Sequence, residues 1–125
     1  MMEAKYIPIV RKDETSKVFI KNVMLIEQEL RKTMIYAEEG HYWRYGKIDE
    51  LLRYLDGRFF RCHQSCIINM DKVVKMKEQT IFFENGFKTM MGREKFQCAR
   101  QNFNRHIMMD QKPEIEKPDK NDDRN

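Results

Sequence analysis

The sequence predicts a mainly β domain with two helices inserted, and three observations carry that expectation. Short strand-like runs recur through the first half of the chain, rich in β-branched and aromatic residues. An Asn85-Gly86 dipeptide separates two further strand-like runs, residues 81–83 and 87–91, and predicts a tight hairpin turn between them. Helical spacing of apolar residues appears in only two places.

Taken in order, strands are expected at residues 6–10, 17–21, 23–27, 33–37 and 41–45, spaced as in a meander. Ile48, Leu51, Leu52 and Leu55 then mark one face of a short amphipathic helix, which Asp56-Gly57 ends. The segment from Arg58 to Asn69 follows, and after it the hairpin. Residues 93–109 place Phe96, Ala99, Phe103 and Ile107 three and four apart, the apolar face of a closing helix. Residues 110–125 hold Pro, Asp, Lys and Asn with Ile115 as their single aliphatic residue, too little to bury, and are expected to be a disordered polar tail behind a domain of residues 1–109.

At 125 residues the chain is long enough to bury one core without metals or disulfides. No run approaches the roughly 18 apolar residues of a membrane span, and the N-terminus lacks the pattern of a signal peptide. A cytoplasmic location is expected, with Cys62, Cys66 and Cys98 as free thiols and no membrane partner. Formal charge is +4, but residues 1–109 hold 20 Lys and Arg against 14 Asp and Glu, so the surplus of the folded part is about +6. That surplus favours a polyanion without specifying one.

Enzymatic readings fail on geometry. Cys62 and His63 are neighbours in a strand-like run, so their side chains point to opposite faces and cannot form a thiol–imidazole pair. Cys62, His63, Cys66, Cys98 and His106 lack the paired spacing of a zinc site, and nothing matches a phosphate loop. The expectation is a protein with no catalytic residues, metal, cofactor or small-molecule substrate. His41, Tyr42, Trp43 and Tyr45 could stack on single-stranded bases, though such a strand more often packs one face and leaves the other wet.

The segment Phe59-Phe60-Arg61-Cys62-His63-Gln64-Ser65-Cys66-Ile67-Ile68-Asn69 resembles the hallmark of the LytTR family of bacterial DNA-binding domains, an F-x-R-x-H-x-S run ending in an apolar pair and Asn. Asn22 to Glu27, Ile48 to Leu55, the Asn85-Gly86 hairpin and the helix opening at Arg93 follow the family's order as well. The resemblance implies an elongated arrangement of small antiparallel sheets with short helices, whose loops enter successive major grooves of double-stranded DNA at direct-repeat promoter sites. It implies a response-regulator-like transcription factor, with a second copy on an adjacent repeat as a further partner. Carried over by position, it puts His63 and Gln64 in the groove from the central reading loop with Ser65 beside the backbone, Arg31 and Lys32 on an earlier loop, and Arg93 at the turn into the last helix.

The chemistry of these residues suits those roles. Arg pairs bidentately with guanine and Gln with adenine in the major groove, while Ser65, Lys32 and Lys95 suit phosphate. Gln64, Gly92 and Glu94 depart from the family's usual residues, which favours as the alternative an interaction module that keeps the fold and binds DNA weakly or not at all.

Overall fold

The computed structural model describes residues 5–110, built from ten strands, three 3-10 turns and one α-helix. The strands are β1 (Tyr6–Arg11), β2 (Glu14–Phe19), β3 (Val23–Glu29), β4 (Lys32–Ala37), β5 (Gly40–Tyr45), β6 (Phe59–His63), β7 (Cys66–Asn69), β8 (Val73–Lys77), β9 (Thr80–Phe83) and β10 (Lys88–Met90), and the helix α1 is Arg93–Asp110. They form three antiparallel sheets, ordered β1-β2, β5-β4-β3-β7-β6 and β10-β9-β8. The mainly β expectation, with small antiparallel sheets, holds. The expected polar tail lies outside the described residues except for Asp110, which ends α1.

The five-stranded sheet is buried on both faces. Alternation sends Ile26, Ile35, Ile67 and Phe59 to one face, where they pack with Ile7, Ile9 and Val18 of the β1-β2 hairpin and with Ile48 and Leu51. Leu25, Ile68, Cys66, Cys62 and Phe60 face the other way, onto Ile81 and Phe83 of the small sheet and Phe96, Ala99 and Phe103 of α1. The register of β3 against β4 slips between Val23 and Leu25, and this bulge lets Met24 and Leu25 enter the same core as neighbours.

Asn69 closes the hallmark segment in full burial. Its Nδ2 donates to the Val23 carbonyl over 2.8 Å, and its Oδ1 accepts from the Asp71 N–H at 3.0 Å, capping the 3-10 turn Met70–Lys72. Lys72 then pairs with Glu38 of the β4-β5 turn and with Glu84 of the β9-β10 loop, tying the small sheet to the large one.

Four details differ from the sequence expectation. The strand expected at residues 17–21 ends at Phe19, and Ile20–Asn22 is a 3-10 turn. The segment Ile48–Tyr54 is a 3-10 helix, so residues three apart line up: Ile48 and Leu51 are buried with Tyr54 against them, while Leu52 turns outward. Asn85-Gly86 does not form a two-residue turn. The Gly86 N–H donates to Phe83 O, Gly86 alone has positive φ (+94°), and the Phe83 N–H donates to Phe87 O, a three-residue loop that places glycine at the left-handed position. The two-residue turn with both φ positive falls instead at Glu78 and Gln79, between β8 and β9. Finally, Ile107 is 43% exposed, because the apolar face of α1 runs past the sheet after Phe103.

Candidate nucleic-acid interface

One end of the five-stranded sheet gathers most of the residues singled out from the sequence. β3 and β4 turn there through Leu30 and Arg31, and β6 and β7 turn there through Gln64 and Ser65. The two turns are side by side because the Gln28 N–H donates to Ser65 O over 2.9 Å, extending the β3-β7 ladder to the tip. The end of β5 joins them: the Gly46 N–H donates to Arg31 O at 2.9 Å.

The β6-β7 turn is locked by its own side chains. Nδ1 of His63 accepts the Ser65 N–H at 3.1 Å and lies 2.8 Å from Ser65 Oγ. A backbone N–H can only donate, so this contact fits the ring tautomer that carries its hydrogen on Nε2. His63 therefore offers a donor outward. Arg61, on the strand leading in, donates from Nη2 to the Gln64 carbonyl and pairs through the same nitrogen with Asp49 at 2.6 Å. Ser65 thus has its backbone and hydroxyl engaged with the protein, whereas the side chain of Gln64 is exposed and makes no hydrogen bond among the described residues.

The β3-β4 turn is held from beneath by Gln28. Its Nε2 lies within hydrogen-bond distance of the carbonyls of Leu30, Lys32 and Gly46, at 3.0 to 3.1 Å, and its Oε1 accepts from the Ile48 N–H. Buried Thr33 donates to the same Gly46 carbonyl over 2.9 Å. Gly46 has φ +123°, a backbone conformation that strains any other residue, which is why glycine stands there. Leu30 stands at the tip with φ +58° and 96% exposure, a strained position for a branched side chain with nothing to pack on. Arg31 beside it is exposed and makes no ion pair among the described residues. Lys32 places Nζ 4.2 Å from the centre of the Trp43 ring, and Arg11 places its guanidinium carbon 4.0 Å from it. Both cations are within cation–π distance of the Trp43 ring.

Arg93 and Lys95 open α1. The start of the helix is pinned to the β8-β9 turn, where the Met91 N–H donates to Gln79 O and Gln79 Nε2 donates to Met91 O. Arg93 is exposed and makes no bond to either of these two turns. Lys95 is near Glu27, which shares the α1 face of β3 with Leu25, and near the buried Cys62–Cys66 pair. Burial pushes the Glu27 carboxyl above the usual carboxylate range, Lys95 only partly offsetting it and Glu29 adding to it. A carboxyl raised in the folded state binds its proton more tightly there than in the unfolded chain, so its ionisation costs stability as pH climbs past its ordinary value. Glu27→Gln is expected to raise the urea midpoint at pH 7, and the gain to vanish by about pH 4, where both states are protonated. Urea titrations at the two pH values check this. Behind the turn, Cys62 donates to Cys66 O at 3.8 Å, and the Cys66 thiol is pushed up by its hydrogen bond with Cys62 and by burial, so it stays protonated.

Gln28, Arg61 and Asp49 were not among the sequence-predicted site residues. Gln28 and Ile48 are 20 positions apart, and no local pattern marks either end of such a bond.

The model of the LytTr DNA-binding domain matches residues 13–104, nearly all of the described fold. The chain belongs to the LytTR family. It is accordingly a DNA-binding domain of the kind that acts in transcription regulation, on a fold that is not an enzyme's. Two curated relatives, the accessory gene regulator protein A of two Staphylococcus epidermidis strains, are each 46% identical to this chain over 44 residues. That match spans 34% of this chain and 18% of the length of each relative. Among solved structures, the LytTr DNA-binding domain of a Bacillus cereus protein superposes with a TM-score of 0.63 at 20% identity, over 82% of this chain and 98% of that one, which establishes the shared fold. Among the described residues no helix is long and apolar enough to cross a membrane.

Proposed function

We propose that this chain reads promoter DNA through the turned end of its five-stranded sheet together with the start of α1, as a regulator that recognises a direct repeat in successive major grooves. The observation that carries the reading is the side-by-side placement of the β3-β4 and β6-β7 turns, which presents Arg31, the His63 Nε2–H and the free Gln64 amide from one rigid edge.

The roles divide by chemistry. Arg93 and Gln64 have the bidentate groups that separate guanine and adenine from their alternatives. The His63 donor seeks an acceptor, a purine N7 or a phosphate oxygen. Arg31, Lys32 and Lys95 supply charge for the backbone, and Ser65 serves the locked shape of the turn as well as the backbone. A regulator's likeness to accessory gene regulator protein A supports the transcriptional role. A second copy on the adjacent repeat would add affinity only through a contact or linkage between the two copies.

Fluorescence polarisation on a duplex selected from random sequence tests the reading. With these three cations on phosphate, affinity should drop roughly fortyfold between 50 and 200 mM salt. Binding that ignores salt and shows no preference for the selected duplex over a scrambled one overturns it, and leaves the interaction-module alternative.

A further inference from the structure

Arg61 stands one strand residue from the reading turn's cysteine, on the opposite face of the sheet from Cys62, where alternation aims it at the 3-10 helix. Its Nη2 forks between two partners, the Gln64 carbonyl at the tip of the turn and the Asp49 carboxylate on Ile48–Tyr54. Its Nε is buried and has no partner among the described residues. A guanidinium that reached for DNA would turn its outer nitrogens to solvent. This one commits Nη2 to the protein, to a backbone carbonyl of the reading turn and to a carboxylate that would repel phosphate.

We propose that Arg61 is a positioning residue for DNA recognition, a strut that fixes the β6-β7 turn against the 3-10 helix and so sets where His63 and Gln64 point. Holding the Gln64 carbonyl inward turns the Gln64 side chain out, and holds the next N–H, that of Ser65, against His63 Nδ1. The ring tautomer that presents Nε2–H therefore depends on Arg61 at one remove. Asp49 in turn orients Arg61. Because the strut acts on the shape of the turn, it governs discrimination between sequences and leaves the phosphate contacts alone. The inference rests on the proposed DNA-reading role of this turn, but its structural half can be read in the free protein.

The test uses the full chain and three variants, Arg61→Met, Arg61→Lys and Asp49→Asn. Arg61→Met is expected to reduce the preference for a selected duplex over a scrambled one by roughly tenfold, the worth of a charge-assisted hydrogen bond, with the salt slope unchanged. Arg61→Lys should recover part of that preference, and Asp49→Asn should lose part of it. In the free protein, nitrogen chemical shifts of the His63 ring should report the Nε2–H form in the wild type and a mixture of tautomers in Arg61→Met. If Arg61 touches DNA itself, Arg61→Met lowers the salt slope by about one and Asp49→Asn tightens binding, and either result overturns the strut. An unchanged His63 tautomer in Arg61→Met overturns it as well. A wild type with no sequence preference would defeat the reading role of the turn, while the tautomer measurement still decides what Arg61 does.

Discussion

Asn69→Ala is expected to destabilise the domain by roughly 2 to 4 kcal/mol, lowering the thermal midpoint by on the order of 10 to 20 °C. The side chain is fully buried, and its amide serves two backbone groups: the Val23 carbonyl, at the bulged start of β3, and the Asp71 N–H, at the first turn after β7. Alanine strands both, and each stranded group costs about 1 to 3 kcal/mol. Asp71 lies near solvent and its N–H can recruit water, which keeps the total below twice the upper figure. Asn69→Asp should be worse still, since it buries a charge and turns an acceptor toward the Val23 carbonyl. Urea denaturation followed by circular dichroism measures both. A loss below about 0.5 kcal/mol for the alanine variant would mean that these groups find other partners.

Arg93→Ala should weaken binding to the selected duplex by about ten- to a hundredfold, the range of a bidentate base contact. The helix start that carries it is anchored on both sides of the Met91 backbone by Gln79, so the guanidinium extends from a fixed base with no ion pair to leave behind. What distinguishes base reading from phosphate holding is the pattern across sequences. A base contact should relax preference at one base pair and barely move the scrambled duplex. A phosphate contact should weaken every duplex alike and take about one from the salt slope. Polarisation titrations of wild type and variant on the selected duplex, its single-base changes and the scrambled control separate the two.

Much of the fold was legible from the chain because its strands alternate cleanly and its last helix repeats every three to four residues up to Phe103. The errors have common causes. Ile48 to Leu55 satisfies α-helical spacing and 3-10 spacing equally until Leu52 is asked to choose, and only packing against Ile7 and Ile9 decides. Asn85-Gly86 suits two hairpin geometries, while Glu78-Gln79 forms the tighter turn with no turn-forming residue at all, its backbone strained into place by the β8-β9 pairing and the bonds from Gln79 to Met91. The family resemblance picked out residues that face outward. Those that hold the turns were not picked out: Gln28 closes its turn through Gly46 and Ile48, 18 and 20 positions away, and Arg61, although part of the hallmark segment, takes its orientation from Asp49 on the preceding 3-10 helix.

The burial of β3 on both faces has a consequence for how the domain comes apart. Leu25 belongs to the core under α1 and Ile26 to the core under the β1-β2 hairpin, so one strand serves as the wall between two rooms. Neither room can empty while the wall stands, and the wall cannot stand with either room empty. Amide hydrogens in the middle of β3 should therefore exchange with solvent only when the whole domain opens, and both cores should melt in a single transition. The β3-β4 and β6-β7 turns hang from one end of that wall and its hydrogen-bonded neighbours, so they keep their shape for as long as the domain is folded at all.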